Sequence, residues 1–264
     1  MNNRPIGVFD SGLGGLTVLK ELQKKLPNEN FIYIGDTAHV PYGNKSKESI
    51  FNFSKKIIDY LNTNNIKLIV AACNTVSSTI LSDIKQITST PIIDVITPLG
   101  DFFLNQNINK IGVIGTHNTI KSNFYNKLIK KYNSNSKIFS KACPMFVPII
   151  ESGLSNHKIA RIMGEEYLDE LIQNNIDFLV LGCTHYPLLK PMLKQILPEN
   201  ILVVDSASVT ADYIQKYLLE KNSLSLDNSL GKIEIKITDC SSEFNKEAKI
   251  FFDNKLSDIE TISL

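Results

Sequence analysis

Residues 64 to 75 read NNIKLIVAACNT and residues 174 to 185 read NNIDFLVLGCTH, nearly the same segment written twice at an offset of 110. In each copy an Asn-Asn-Ile lead is followed by a continuous apolar run, Leu68 to Ala72 or Phe178 to Gly182. A strand with one wet face would alternate, so an unbroken apolar run predicts a parallel strand buried on both faces. Cys73 and Cys183 stand where these strands stop. Small polar groups follow at once, Asn74 and Thr75 in one copy, Thr184 and His185 in the other. A single cysteine there would read as a small hydrophobe closing a core strand. Two at matched positions suggest a shared use.

The repeat extends outward. IGVFDSG at 6 to 12 resembles IGVIGTH at 111 to 117, and PIIDVI at 91 to 96 pairs with LVVDSA at 202 to 207, aligning Asp94 with Asp205. Three strands recurring in one order at nearly constant offset predict two similar halves. Helix-like segments lie between the strands: GGLTVLKELQKKL, KSKESIFNFSKKIIDYLN after FIYIGD (31 to 36), and TVSSTILSDIKQI in the first half. NTIKSNFYNKLIKKY, HKIARIMGEEYLDELIQ and VTADYIQKYLLEK take those parts in the second. Short apolar runs alternating with helices indicate right-handed βαβ crossovers and parallel sheets. After residue 222, NSLSLDNSLG reads as a polar loop and GKIEIKITD alternates like a strand that returns to extend the first sheet. The expected fold is α/β, with two pseudo-symmetric domains whose parallel-sheet cores face a shared cleft. Residues 1–96 plus 208–264 form the first domain and 97–207 the second. In such sheets ligands bind beyond the carboxyl ends of the strands. Those ends carry Asp10 and Ser11, Asp36, Cys73 with Asn74 and Thr75, Thr116, and Cys183 with Thr184 and His185. The repeat thus predicts two cysteines approaching one cleft from opposite walls.

Bulk properties narrow the function. With 264 residues, 43% hydrophobic and 21% charged, the chain has the makeup of a soluble globular protein with ample core. Its 28 basic and 27 acidic residues are spread along the chain, leaving no footprint for nucleic acid. Arg4 and Arg161 are the only arginines, so an anionic ligand must be held without forked guanidinium contacts. The opening MNNRPIGVFD meets Asp10 too soon to form a signal-peptide core, and no run approaches a membrane span, which predicts a cytoplasmic location. Cysteines 73, 143, 183 and 240 contain no C-x-x-C pair, so reduced thiols are expected. Cys143 and Cys240 have no twin in the repeat and read as structural.

Several motifs admit more than one reading. DSGLGG (10 to 15) is a glycine-rich turn after a strand, with Asp36 ending the next strand, which invites dinucleotide binding. Thr17 at the third glycine position and a carboxylate at Asp10 oppose it. The glycines then serve a tight turn into a helix whose first amides face the cleft, or a turn alone. Cys183-Thr184-His185 could be half a metal site, but Asp10, Cys73 and Glu151 complete no known spacing, and no metal is expected. His185 also reads as a structural histidine near a helix start, or as a group that exchanges protons with its neighbouring thiol. Asp10 alone could be an N-cap. Glu151 lies in VPIIESG, an apolar run before a glycine turn, where a carboxylate is unusual and either projects to the cleft or sits on the surface.

Two opposed thiols suit one kind of chemistry. One, as thiolate, takes a proton from a tetrahedral carbon; the other, as thiol, delivers one to the opposite face of the planar intermediate, and the product is the mirror image. Cysteine is apt because its ordinary pKa of about 8.5 needs only modest tuning. Hydroxyls and amides at helix starts can hold carboxylates without arginine. With GVFDSGLGGLTV, YIGDTAHVPYGNKS (33 to 46), IVAACNTVS (69 to 77), IGVIGTHNTIKS (111 to 122) and LVLGCTHYPLL (179 to 189) in order, the chain closely resembles the cofactor-independent glutamate racemases of bacterial cell-wall synthesis. That resemblance implies Cys73 and Cys183 as the acid–base pair, assisted by Asp10, Glu151 and His185. It implies substrate contacts from Asp10, Ser11, Pro41, Tyr42, Gly43, Asn74, Thr75, Thr116, Thr119, Thr184 and His185. It also implies flavodoxin-like domains, no cofactor and a homodimer. Aspartate racemases share the two-cysteine logic and are the nearest rivals. A two-lobed amino-acid binding protein would need neither cysteine and should carry a signal peptide; a dithiol redox protein would join its thiols in a disulfide.

Overall fold

The computed structural model describes residues 2–104, 109–227, 229–240, 244, 248, 252 and 259–264. The first half runs β1 (Ile6–Asp10), α1 (Gly15–Lys25), β2 (Phe31–Gly35), α2 (Lys47–Thr63), β3 (Leu68–Ala71), α3 (Asn74–Thr79), α4 (Leu81–Ile84) and β4 (Ile92–Asp94). The second runs α5 (Pro98–Leu104), β5 (Lys110–Gly115), α6 (His117–Lys121), α7 (Phe124–Tyr132), β6 (Lys137–Ala142), α8 (Phe146–Glu151), α9 (Lys158–Gln173), β7 (Phe178–Gly182), α10 (Lys190–Ile196), β8 (Leu202–Asp205) and α11 (Ser206–Glu220). β9 (Ile233–Ile237) and β10 (Ile259–Thr261) follow.

Both sheets are parallel, in the orders β10-β9-β2-β1-β3-β4 and β6-β5-β7-β8. The order β2-β1-β3-β4 therefore recurs as β6-β5-β7-β8. Register recurs as well: Ile6 lies opposite Leu68 as Ile111 lies opposite Phe178. The repeated segments are the central strands β3 and β7, buried along their whole lengths as their unbroken apolar runs require. β9 pairs with β2, so the alternating GKIEIKITD segment extends the first sheet.

The aligned Asp94 and Asp205 both hold backbone amides where a strand hands over to a helix. Asp94 Oδ1 accepts from the amides of Ile96 and Thr97, both at 2.8 Å, ahead of α5. Asp205 Oδ1 accepts from Ala207 at 3.0 Å and Ser208 at 3.4 Å at the start of α11. Asp205 caps α11, and Asp94 makes the equivalent two-amide contact in the turn that leads into α5.

Ala207, Ala211, Ile214 and Leu218 form the buried stripe of α11, which packs against α1 and α5. One apolar cluster consequently runs from Leu16, Leu19 and Leu22 through Leu99 and Phe103 to Ile214 and Leu218, and includes Val8 and Val70 with Val113 and Val180. It belongs to both halves. Each fully buried Leu, Ile or Val in it contributes about 1.5–3 kcal/mol relative to exposure. Where the chain leaves α11, the buried Lys67 ammonium meets Glu29 at 2.5 Å and donates to the carbonyls of Asn2 and Ser223. Among the described residues no helix is long and apolar enough to cross a membrane.

Candidate active site

The carboxyl ends of β1 and β3 build one wall. Asp10, fully buried at the end of β1, accepts through Oδ2 from the amides of Gly12 and Gly15, each at 3.0 Å. Its other oxygen accepts from Thr184 Oγ1 at 3.2 Å, across the cleft. Burial raises the Asp10 carboxyl pKa, against the opposing pull of the His185 charge and these donors. A Cβ on Gly14 would collide with His185 Nδ1 and lie 2.5 Å from Thr184 Oγ1. The glycine turn thus lets the second half approach the first, and no phosphate is needed to explain it. Thr17, at the third glycine position, places Oγ1 2.7 Å from Gly14 O and 3.1 Å from Thr184 O.

Cys73 follows β3 at the start of α3, with Sγ 3.9 Å from Ser11 Oγ. Burial pushes its thiol up to about 12, and the nearby charges of Asp10 and Cys183 push the same way.

Opposite stands the end of β7. Cys183 Sγ lies 3.9 Å from His185 Nδ1, and His185 Nε2 lies 2.9 Å from Glu151 Oε1. Burial alone would lower the His185 pKa, but hydrogen bonding and charge from Cys183 and Glu151 outweigh it and hold the imidazole well above the ordinary histidine range. Glu151 is the last residue of α8, with 28% of its side chain exposed, and reaches the site through this bond.

Hydroxyls bridge the two walls. Thr75 Oγ1 and Thr116 Oγ1 are 3.0 Å apart, Thr116 and Thr119 are 3.0 Å apart, and Thr75 and Thr119 are 3.4 Å apart. Thr116 also caps α6. Asn74 Nδ2 donates to Tyr125 OH at 2.8 Å, while the buried Asn74 Oδ1 has no hydrogen-bond partner. The segment Pro41–Gly43 closes the edge, where a Cβ on Gly43 would come within 2.6 Å of Thr116 Cβ. Asn118 Nδ2 donates to Lys45 O at 2.8 Å and ties this segment to the second half.

These elements surround a cavity of about 10 Å³, lined by Ser11, Pro41, Tyr42, Gly43, Cys73, Asn74, Thr75, Thr116, Cys183, Thr184 and His185 from the expected set, together with Val147. Asp10, Thr119 and Glu151 stand just behind, each bonded to a lining residue. The sequence reading missed Val147 and Tyr125. Val147 lies four residues before Glu151, one helical turn away, but the run CPMFVPII carries two prolines and gave no helical pattern. Among the described residues no group of three or more His, Cys, Asp or Glu side chains is arranged to hold a metal ion.

A cysteine on each wall, a histidine beside one of them and a set of hydroxyl groups are the equipment for moving protons at a small bound molecule. The family model for Asp/Glu/hydantoin racemases matches residues 6–214. The chain belongs to this family. It is accordingly an enzyme of the isomerase class. Among curated relatives, the glutamate racemase of Neisseria meningitidis serogroup C is 41% identical over 99% of this chain and 97% of its own length. That of Sulfurihydrogenibium sp. is 44% identical over 92% of this chain and 91% of its own. The crystal structure of glutamate racemase from Francisella tularensis subsp. tularensis SCHU S4, in complex with D-glutamate, superposes with a TM-score of 0.92 at 36% identity, covering 100% of this chain and 98% of that one. The α/β architecture with two parallel sheets is thus that of the racemases.

Proposed function

We propose that the protein interconverts L-glutamate and D-glutamate by two-base proton transfer at the α-carbon, with Cys73 and Cys183 as the acid–base pair and no cofactor. The observation that carries this reading is that equivalent strands β3 and β7 end in cysteines that line one cavity from opposite halves. One sulfur, as thiolate, takes the α-proton; the carbon flattens; the other sulfur, as thiol, gives its proton to the far face. One C–H bond breaks, another forms, and the two sulfurs exchange protonation states. Burial pushes the Cys73 thiol up to about 12, which suits it to give up its proton to a carbanion in the direction in which it serves as the acid. The cationic His185 supplies positive charge beside the Cys183 sulfur, where negative charge must develop. Asp10 assists at the Cys73 side, and Glu151 keeps His185 charged and oriented.

Substrate contacts follow from unused capacity. Asn74 Oδ1, buried without a partner, is an acceptor suited to the substrate ammonium. Ser11, Thr75, Thr116, Thr119 and Thr184 offer hydroxyl donors to the carboxylates, and Pro41, Tyr42 and Gly43 close over the bound molecule. Glutamate is favoured over aspartate by the relatives named glutamate racemase along nearly the whole chain. The reading extends to a cytoplasmic homodimer that supplies D-glutamate for peptidoglycan. It also divides the chain into domains of residues 1–96 plus 208–264 and 97–207, supported by the pairing of β9 with β2.

Proton NMR of L-glutamate in heavy water, with purified protein, a chelator and no added cofactor, followed by chiral analysis, tests the reading. Loss of the α-proton signal with accumulation of D-glutamate is expected. A folded, reduced protein that exchanges no α-proton of glutamate would overturn it, and exchange with aspartate alone would reassign the substrate.

A further inference from the structure

The motif YIGDTAHVPYGNKS gives Pro41, Tyr42 and Gly43 to the cleft but leaves Asp36 and His39 outside it. Asp36 follows β2 and is 2% exposed. Its carboxylate gathers three side chains: Tyr42 OH donates to Oδ2 at 2.5 Å, Thr238 Oγ1 donates to Oδ1 at 2.8 Å, and His39 Nδ1 lies 2.8 and 3.0 Å from the two oxygens. The same stretch is laced to the residues after β9. Ala38 N donates to Thr238 Oγ1 at 3.0 Å, Thr37 Oγ1 donates to Asp239 O at 2.5 Å, and Asp239 N donates back to Thr37 Oγ1 at 2.8 Å. Behind Asp36 lies a separate cavity of about 190 Å³ bordered by His39, stacked on Phe53 at 4.0 Å between ring centres.

Tyr42 is the link between this network and the site. Tyr42 lines the cleft while its ring centre lies 5.7 Å from that of Phe53 and its hydroxyl is held by Asp36, so the side chain anchors the chain at 41–43. The next residue, Gly43, abuts Thr116 with no room for a Cβ, so a shift of this segment is passed directly to the Thr75–Thr116–Thr119 cluster. We infer that Asp36 is a positioning residue: through Tyr42 it holds Pro41–Gly43 against Thr116 and so sets the affinity for substrate, with Thr238 after β9 as its second anchor. The inference rests on the glutamate racemase reading. It gives the returning tail a task in the site, because β9 brings Thr238 to the carboxylate.

The experiment is steady-state racemisation of both glutamate enantiomers by wild type, Asp36→Ala, Asp36→Asn, Tyr42→Phe, Thr238→Val and the Asp36→Ala/Tyr42→Phe double variant, with circular dichroism to verify folding. A segment that holds substrate without touching the reacting carbon contributes uniform binding, so Asp36→Ala should raise KM about tenfold while kcat changes less than about threefold. Asp36→Asn keeps an acceptor for the tyrosine and should restore KM to within about threefold of wild type. Because the Tyr42 hydroxyl acts through Asp36, the double variant should be no worse than Asp36→Ala, whereas independent effects would multiply. A folded Asp36→Ala protein with unchanged KM, or multiplying effects, overturns the assignment. If Asp36→Ala does not fold, Tyr42→Phe and Thr238→Val decide: a raised KM supports the assignment and unchanged KM values overturn it. A wild-type protein inactive on glutamate overturns the functional reading and this inference together, while an active wild type with unaffected variants overturns the inference alone.

Discussion

Cys73 and Cys183 end equivalent strands among different neighbours: Cys73 beside Ser11 and the buried Asp10, Cys183 beside a histidine paired to Glu151. General acid–base groups contribute about 10²–10⁴-fold each, so Cys73→Ala and Cys183→Ala should each remove racemisation by at least that factor while circular dichroism stays native. Cys143→Ala, which empties a buried position outside the cleft, should retain turnover; substantial activity in either cleft variant would sink the two-base assignment. Glu151 gives a second test. Because the folded-state pKa of His185 is raised, its charge contributes stability that is fully present below the ordinary histidine value and is lost as pH rises through the folded one. Glu151→Gln removes one of the groups that raises it, so the imidazole should lose its proton at lower pH than in wild type, and the alkaline limb of kcat/KM should move the same way. An NMR titration of the His185 ring beside the rate profile checks both; an unmoved limb would mean that His185 need not be charged. At this scale the gathering of these side chains at one cavity is legible in the sequence, since strand-end residues of unusual chemistry need only the repeat to be brought face to face. Glu151 was legible as an oddity but not as the partner of His185, because a contact across 34 positions leaves no trace in local pattern.

The glycine turn before α1 shows how an element serves the site. Gly14 sits where β1 hands over to α1, and any Cβ there meets His185 and Thr184 from the other half. Overpacking of this kind costs about 1–3 kcal/mol, and displacement of a catalytic group by about an ångström can cost 10²-fold in rate. Gly14→Ala is therefore expected to lower thermal stability by a few degrees and kcat/KM by about a hundredfold, read by thermal melts and initial rates. A variant with native kcat/KM would show that His185 has slack to move. The repeat was legible where strands are buried on both faces, as in β1, β3, β5 and β7, because such strands admit little but apolar residues. β6 mirrors β2 in position but not in sequence. It is an edge strand, KIFSKA, partly exposed along its length, and the lysines and serine tolerated there erase the likeness to FIYIG.

The two halves are joined differently on their two sides. Toward the cleft the links are polar: Thr184 to Asp10, Thr17 to Thr184, Thr75 to Thr116 and Asn118 to Lys45. Away from it, α1, α5 and α11 share one apolar cluster. Exposed to water, a neutral hydrogen bond is replaced at a net cost of about 0.5–1.5 kcal/mol, whereas separating the helices would expose several side chains worth about 1.5–3 kcal/mol each. The cavity lined by the two cysteines is narrow, about 10 Å³, and the polar side, whose links water can replace, is the side expected to yield as substrate enters while the helical side holds. Hydrogen exchange read by mass spectrometry should then find segments 36–45, 116–122 and 183–190 exchanging faster than α11 in the free protein. Saturating D-glutamate should slow these three segments and leave α11 nearly unchanged. Faster exchange in α11 than around the cleft would place the hinge on the wrong side. The polar links would then be the fixed part of the molecule, and the apolar cluster the part that moves.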